Sequence, residues 1–175
     1  MNIILIGYRC AGKTSVGKKL AFRLGREFAD TDELFERRHA ASIREMVHSK
    51  GWEYFRTEEK RIIEEIAGKD DWIIAPGGGA VLDEENVKAL KRNALVIWLK
   101  ADPKILSQRM DQDPRTQASR PSLTEKGTSE EVQEVMASRT PFYEKAADVS
   151  VDTSTLGMEA VAEKLLSLIR ERIGD

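Results

Sequence analysis

Residues Ile3 to Leu20 read IILIGYRCAGKTSVGKKL, an apolar run that breaks into a glycine-spaced loop and resumes with helical periodicity. Gly7 to Thr14 match G-x-x-x-x-G-K-[ST] in full. Glycines let the backbone curl so that successive N–H groups point inward at phosphate oxygens. Lys13 spans β- and γ-phosphates, the Thr14 hydroxyl suits Mg²⁺, and the helix behind adds the positive end of its dipole. A bare glycine turn is the alternative. The motif's required context, a strand before and a helix after, favours a nucleotide loop.

Outward from this loop, strand and helix patterns alternate. Apolar strand patterns fall at 2–7, 27–30, 72–75, 94–99 and 147–151. Helical patterns fall at 13–24, 32–40, 42–49, 52–67, 84–91, 103–110 and 158–172, and one from 128 toward Pro141. Ser42 with Glu45 and Thr128 with Glu131 have the spacing of capping boxes, Asp83 suits an N-cap, and Asp102-Pro103 suits a cap followed by N1 proline. Five short strands interleaved with helices imply an α/β fold, a parallel sheet covered on both faces. Neither a repeat nor a linker divides the chain, so one domain over 1–175 is expected. The polar stretch 111–126 is long for a connection and reads as a mobile lid or a surface loop, and its arginines favour the lid.

Composition excludes several classes. The 175 residues carry a net charge of −2, which gives no basic field for nucleic acid. One cysteine, Cys10, permits no internal disulfide, and with two histidines it cannot complete a zinc site of Cys and His ligands. The start, Met1-Asn2-Ile3-Ile4, lacks a basic leader, and no apolar run nears the roughly 18 residues of a membrane span. A cytoplasmic monomer is expected. Cys10 reads as a small residue that fits the loop. A thiol beside Lys13 and a helix N-terminus is also a setting that lowers a thiol pKa.

The phosphate acceptor must be read from other residues. Asp30 and Asp32 close the second strand, where parallel sheets present ligand-binding groups. One carboxylate suits hydrated Mg²⁺ and the other an attacking hydroxyl; Asp32 as a plain helix cap is the alternative. Arg56 suits a carboxylate, and Glu59 lies on the same helical face to hold it, unless the two are only a surface ion pair. Gly77-Gly78-Gly79 offers either a tight turn or a backbone surface for a small polyhydroxy molecule. Arg139 offers a second carboxylate clamp, and Arg120 in the lid stretch suits a transferring phosphoryl. Two arginines, a carboxylate pair and a triglycine face suggest a small, anionic, hydroxylated acceptor.

The combination resembles the shikimate kinases. The likeness covers Gly7–Thr14, the D-x-D of Asp30 and Asp32, F-R-x-x-E at 55–59, Gly77–Gly79, Arg120-Pro121, R-x-P-x-Y at 139–143 and V-D-T at 151–153. The resemblance implies a nucleoside monophosphate kinase-like three-layer α/β/α fold with a five-stranded parallel sheet. It implies transfer of the γ-phosphoryl of MgATP to the 3-hydroxyl of shikimate, a step toward chorismate and the aromatic amino acids. By motif, Asp32, Arg56, Gly77, Gly78, Gly79 and Arg139 would bind shikimate. Cys10, Ala11, Gly12, Lys13, Thr14 and Ser15, with Arg109, Arg120, Ser154 and Thr155, would bind ATP. Thr14 and, through water, Asp30 would hold Mg²⁺. Lys13, Asp32 and Arg120 would carry the catalysis, and Glu59 would orient Arg56. The chain departs from the family pattern at Cys10, where glycine is common, in the order Thr14-Ser15, and at Met158, where proline is common. Arg115 is a second candidate for the lid arginine. Two rivals are another small-molecule kinase of the same fold and a GTPase-like switch or nucleotide-binding module. Against the switch, no N-K-x-D is present; against a degenerate binder, Lys13 and Asp32 are both retained.

Overall fold

The computed structural model describes residues 1–114, 121–124 and 127–173. Strand β1 (Asn2–Ile6) is buried at every position. That is why its sequence is a continuous apolar run rather than an alternating one: helices cover both faces. It sits at the centre of a five-stranded sheet of order β2-β3-β1-β4-β5, with β2 (Glu27–Asp30), β3 (Trp72–Ala75), β4 (Ala94–Lys100) and β5 (Val149–Asp152). Every pairing is parallel. The expected α/β class and strand count hold. All five carboxyl ends therefore lie along one edge, with Gly7, Asp30, Pro76, Ala101 and Thr153 at or just beyond them.

The helices follow local signals. Helix α1 (Lys13–Leu24) starts at Gly12, whose φ of 96° is left-handed and whose missing side chain leaves the first N–H groups without a side-chain cap. Helix α2 (Thr31–His39) is capped by Asp30. Helix α3 (Ile43–Ala67) carries the expected Ser42–Glu45 capping box. It breaks at Gly51, with φ 84° and ψ 169°, and so behaves as the two helices the sequence shows. Helices α4 (Glu84–Lys91) and α5 (Pro103–Gln112) begin at the caps Asp83 and Asp102. Helix α6 (Thr128–Ala146) passes through Pro141, and α7 (Met158–Ile173) closes the chain.

Two local features go beyond or against the sequence reading. A short 3₁₀ turn, Ala80–Leu82, follows the triglycine and has no sequence signal of its own. The second capping box does not form. Gly127 is the cap of α6, Thr128 is already helical, and Glu131 binds Ser122, Leu123 and Thr124 instead. A tertiary partner with three donors outcompetes one local backbone N–H. Among the described residues, no helix is long and apolar enough to cross a membrane.

Candidate active site

A cleft of about 740 Å³ opens at the carboxyl edge of the sheet and is walled by the residues from Cys10 to Ser15, with Asp30, Asp32, Arg109 and Thr153. Strand β1 delivers the chain into the loop, and α1 takes it away with its N-terminus aimed at the cleft. Lys13 is buried, and its Nζ donates to Gly7 O at 2.8 Å and Tyr8 O at 3.0 Å. The ammonium is therefore held at the loop's mouth by the loop's own carbonyls.

Thr14 Oγ1 donates to Asp30 Oδ2 at 2.6 Å. The other oxygen, Asp30 Oδ1, accepts from the backbone N–H groups of Asp32 at 2.9 Å and Glu33 at 3.3 Å. The hydroxyl and carboxylate expected at a metal thus meet. Among the described residues no cluster of three or more His, Cys, Asp or Glu side chains could cage a metal. That donor set suits Mg²⁺, which keeps most of its waters and completes its shell with phosphates.

On the far wall, Arg109 ties two loops together, donating to Thr153 O at 2.7 Å and Cys10 O at 3.5 Å. The expected contacts Ser154 and Thr155 do not line the cleft; Thr153, Leu156, Gly157 and Met158 do. The Ser154 hydroxyl is spent on Asp102 N at 2.9 Å, which ties the loop after β5 to the start of α5. Cys10 is half-buried at a φ of 60°, and its thiol donates to Asp113 Oδ2 at 3.6 Å. Arg115 and Arg120, the lid candidates, lie outside the described residues.

A smaller hollow of about 50 Å³ adjoins the cleft, walled by Arg9, Asp32, Arg56, Glu59, Gly77–Gly79 and Arg139 among others. Asp32 is the site residue common to both walls. Glu59 is buried and accepts from Arg56 Nη1 at 2.6 Å through Oε2, while Oε1 has no hydrogen-bond partner among the described residues. Burial pushes the Glu59 carboxyl up, against the pull of Arg56. The Arg56 guanidinium also lies 5.2 Å from the Phe55 ring and 5.6 Å from Trp52, which limits its swing.

The triglycine has a steric reason beyond a flat backbone. A Cβ at Gly77 would come within 2.7 Å of both Asp32 Oδ1 and Glu59 Oε1. One at Gly79 would overlap the Arg56 guanidinium. The turn is pinned from both sides: Gly77 N donates to Thr31 Oγ1 at 2.8 Å, and Tyr143 Oη donates to Gly78 O at 2.6 Å. Tyr143 is buried against Trp98, ring centroids 5.5 Å apart, and burial pushes its hydroxyl up to about 12, so it stays a donor.

Thr31 and Tyr143 acquire their positioning roles only here. Arg9 is also new to the site. It lies within the nucleotide loop, yet its side chain walls the smaller hollow, 5.9 Å from the Tyr8 ring, as Arg139 is on the same ring. A loop read as a backbone cradle gives no hint of where its side chains go.

A family model described as shikimate kinase matches residues 9–170. A shikimate kinase of Syntrophus aciditrophicus is 42% identical, covering 94% of this chain and 89% of that protein. Shikimate kinase 2 of Yersinia enterocolitica is 37% identical over 97% of this chain and 96% of its own. Among solved structures, shikimate kinase from Acinetobacter baumannii in complex with shikimate superposes with a TM-score of 0.91 at 32% identity, covering 98% of this chain and 93% of that one. Identity at this level, sustained almost end to end on the same sheet, leaves one conclusion: the chain belongs to the shikimate kinase family.

Proposed function

We propose a division of labour for the reaction the chain catalyses as a member of that family, the ATP-dependent phosphorylation of shikimate at its 3-hydroxyl. The products are ADP and shikimate 3-phosphate, on the route to chorismate and the aromatic amino acids. ATP occupies the large cleft, with its phosphates on the backbone N–H groups of Cys10–Ser15 and its base toward Arg109. Shikimate occupies the hollow, its carboxylate gripped by Arg56 and Arg139 in charge-assisted pairs. Gly77, Gly78 and Gly79 give its ring a backbone floor.

The observation that carries this reading is the position of Asp32 on the wall between cleft and hollow. There its carboxylate accepts the proton of the attacking hydroxyl as the oxygen bonds to the γ-phosphorus and the bond to the β-phosphate oxygen breaks. Lys13 leaves its loop carbonyls for the phosphate oxygens and stabilises the charge that moves to them. Thr14 and Asp30 are the residues that would hold Mg²⁺, which would supply charge neutralisation at the phosphates. Arg120 is assigned to the transferring phosphoryl by the family likeness alone. One chain supplies every group in this scheme, which suits a monomer, and ATP as donor suits the cytoplasm.

A coupled ADP-release assay with MgATP tests the scheme. Shikimate is the acceptor, with quinate, gluconate, AMP and CMP in parallel. Release with shikimate alone is expected. Release with a different acceptor would overturn the roles given to Arg56, Arg139 and the triglycine.

A further inference from the structure

We propose that Glu131 is a positioning residue for the acceptor site, anchoring the segment Pro121–Thr124 against the mouth of the hollow. This rests on the assignment of that hollow to shikimate. Glu131 lies in the first turn of α6 and is only 3% exposed. A single oxygen, Oε2, accepts from Leu123 N at 2.8 Å, Thr124 N at 3.0 Å and Thr124 Oγ1 at 3.5 Å, and also from the Ser122 hydroxyl. Three consecutive residues without helix or strand bonds of their own are thus organised by one carboxylate. Burial alone would raise this carboxyl, but the bonds from Ser122, Thr124 and Leu123 and the charge of Arg9 outweigh it and hold it low. The anchor therefore stays ionised, and its bonds are charge-assisted.

The anchored segment reaches the site at two points. Pro121 and Leu123 both wall the acceptor hollow, beside Arg9, Arg56 and Arg139. Pro121 O also accepts from Arg9 Nη1 at 3.3 Å and Nη2 at 3.4 Å. A chain of contacts therefore runs from α6 through Glu131 and the segment to an arginine of the nucleotide loop. None of Pro121, Leu123 or Glu131 walls the nucleotide cleft. Loss of the anchor leaves water to satisfy the three residues and slackens one wall of the hollow, with the nucleotide site unchanged. The spacing that suggests a capping box at Thr128 and Glu131 has its use here, across the gap rather than within the helix.

The test compares Glu131→Gln, Ser122→Ala and the double variant, by ADP release and thermal unfolding. Glu131→Gln keeps the volume and removes the charge. It should raise the KM for shikimate about tenfold, while the KM for ATP and kcat stay within about twofold and Tm is unchanged. Ser122→Ala should raise it less, and the double variant should fall short of the product of the two, because the residues act as a unit. A parent-like KM for shikimate in Glu131→Gln would overturn the anchor alone. So would a matched rise in both KM values with a lowered Tm, the signature of general loosening. Absence of shikimate-dependent ADP release from the parent would instead remove the assignment of the hollow, and the anchor with it.

Discussion

Asp30 and Asp32 stand two residues apart and differ in duty because of where α2 begins. Asp30 is the cap, one oxygen on the first N–H groups of the helix and the other on Thr14. That arrangement turns Asp32 into the first turn, toward both the cleft and the hollow. Asp32→Asn should lower kcat by about two to four orders of magnitude, the range for losing a general base, with ATP affinity nearly unchanged. Titration with a fluorescent nucleotide and single-turnover kinetics separate the two effects. Glu59 carries a different burden. Its carboxyl is pushed up by burial from an ordinary value of 4.5. A carboxyl raised in the folded state favours the fold while protonated. That contribution is complete below the unfolded value and is lost as pH climbs through the folded one. The parent should therefore lose stability relative to Glu59→Gln from about pH 4.5 upward, levelling off once Glu59 is ionised. Where Glu59 is ionised, Glu59→Gln should melt no lower than the parent yet bind shikimate more weakly, since Arg56 loses its ionic partner. A thermal-unfolding series in pH, beside shikimate KM, checks both halves.

At the scale of elements, α3 shows how one residue joins two helices. Gly51 adopts φ 84° and ψ 169°, a region that is essentially glycine's own, and a Cβ there would meet nothing within 4 Å. The cost of Gly51→Ala is thus backbone strain without steric clash, about 1–3 kcal/mol, or a fall in Tm of roughly 2–12 °C in a chain of this size. An unchanged melting temperature would mean that the break at Gly51 is not required. The element also matters to the site, because Arg56 and Glu59 lie just beyond the break and face the triglycine turn. Helix α6 works similarly at its two ends. Its first turn carries Glu131, and its late turns carry Arg139 and Tyr143, which reach the hollow and the Gly78 carbonyl.

For the whole molecule, the strand order β2-β3-β1-β4-β5 does the gathering. Placing β3 between β1 and β2 sets the triglycine turn between the nucleotide loop and the Asp30–Asp32 corner, so the cleft and the hollow, proposed for donor and acceptor, share an edge. Two adjoining sites in one fold make each substrate a stabiliser of the whole. At about 100 times its Kd, either MgATP or shikimate should add about 2.7 kcal/mol, or roughly 5–11 °C in Tm. EDTA should reduce the ATP shift and leave the shikimate shift in place, if Thr14 and Asp30 hold the metal as proposed. Differential scanning fluorimetry with and without chelator measures this directly; a shikimate shift abolished by EDTA would contradict the separation of the two sites.

The sequence by itself determined the elements whose signals are local. The apolar run of β1, the G-x-x-x-x-G-K-T loop, the caps at Ser42, Asp83 and Asp102 and the break near Gly51 all depend on neighbours a few residues away. It determined the family as well, because the motifs along the chain carry its chemistry residue by residue. Tertiary structure alone decided the rest, because partners distant in sequence do not show in spacing. It made Asp30 rather than Asp32 the cap, turned Glu131 from a local box to residues 122–124 within the lid stretch, and spent Ser154 on Asp102. It also brought Arg9 to the smaller hollow and Tyr143 to the Gly78 carbonyl beside it. The physical reason is common to all of these: a side-chain oxygen or guanidinium takes the strongest partner in reach, and the fold decides what is in reach.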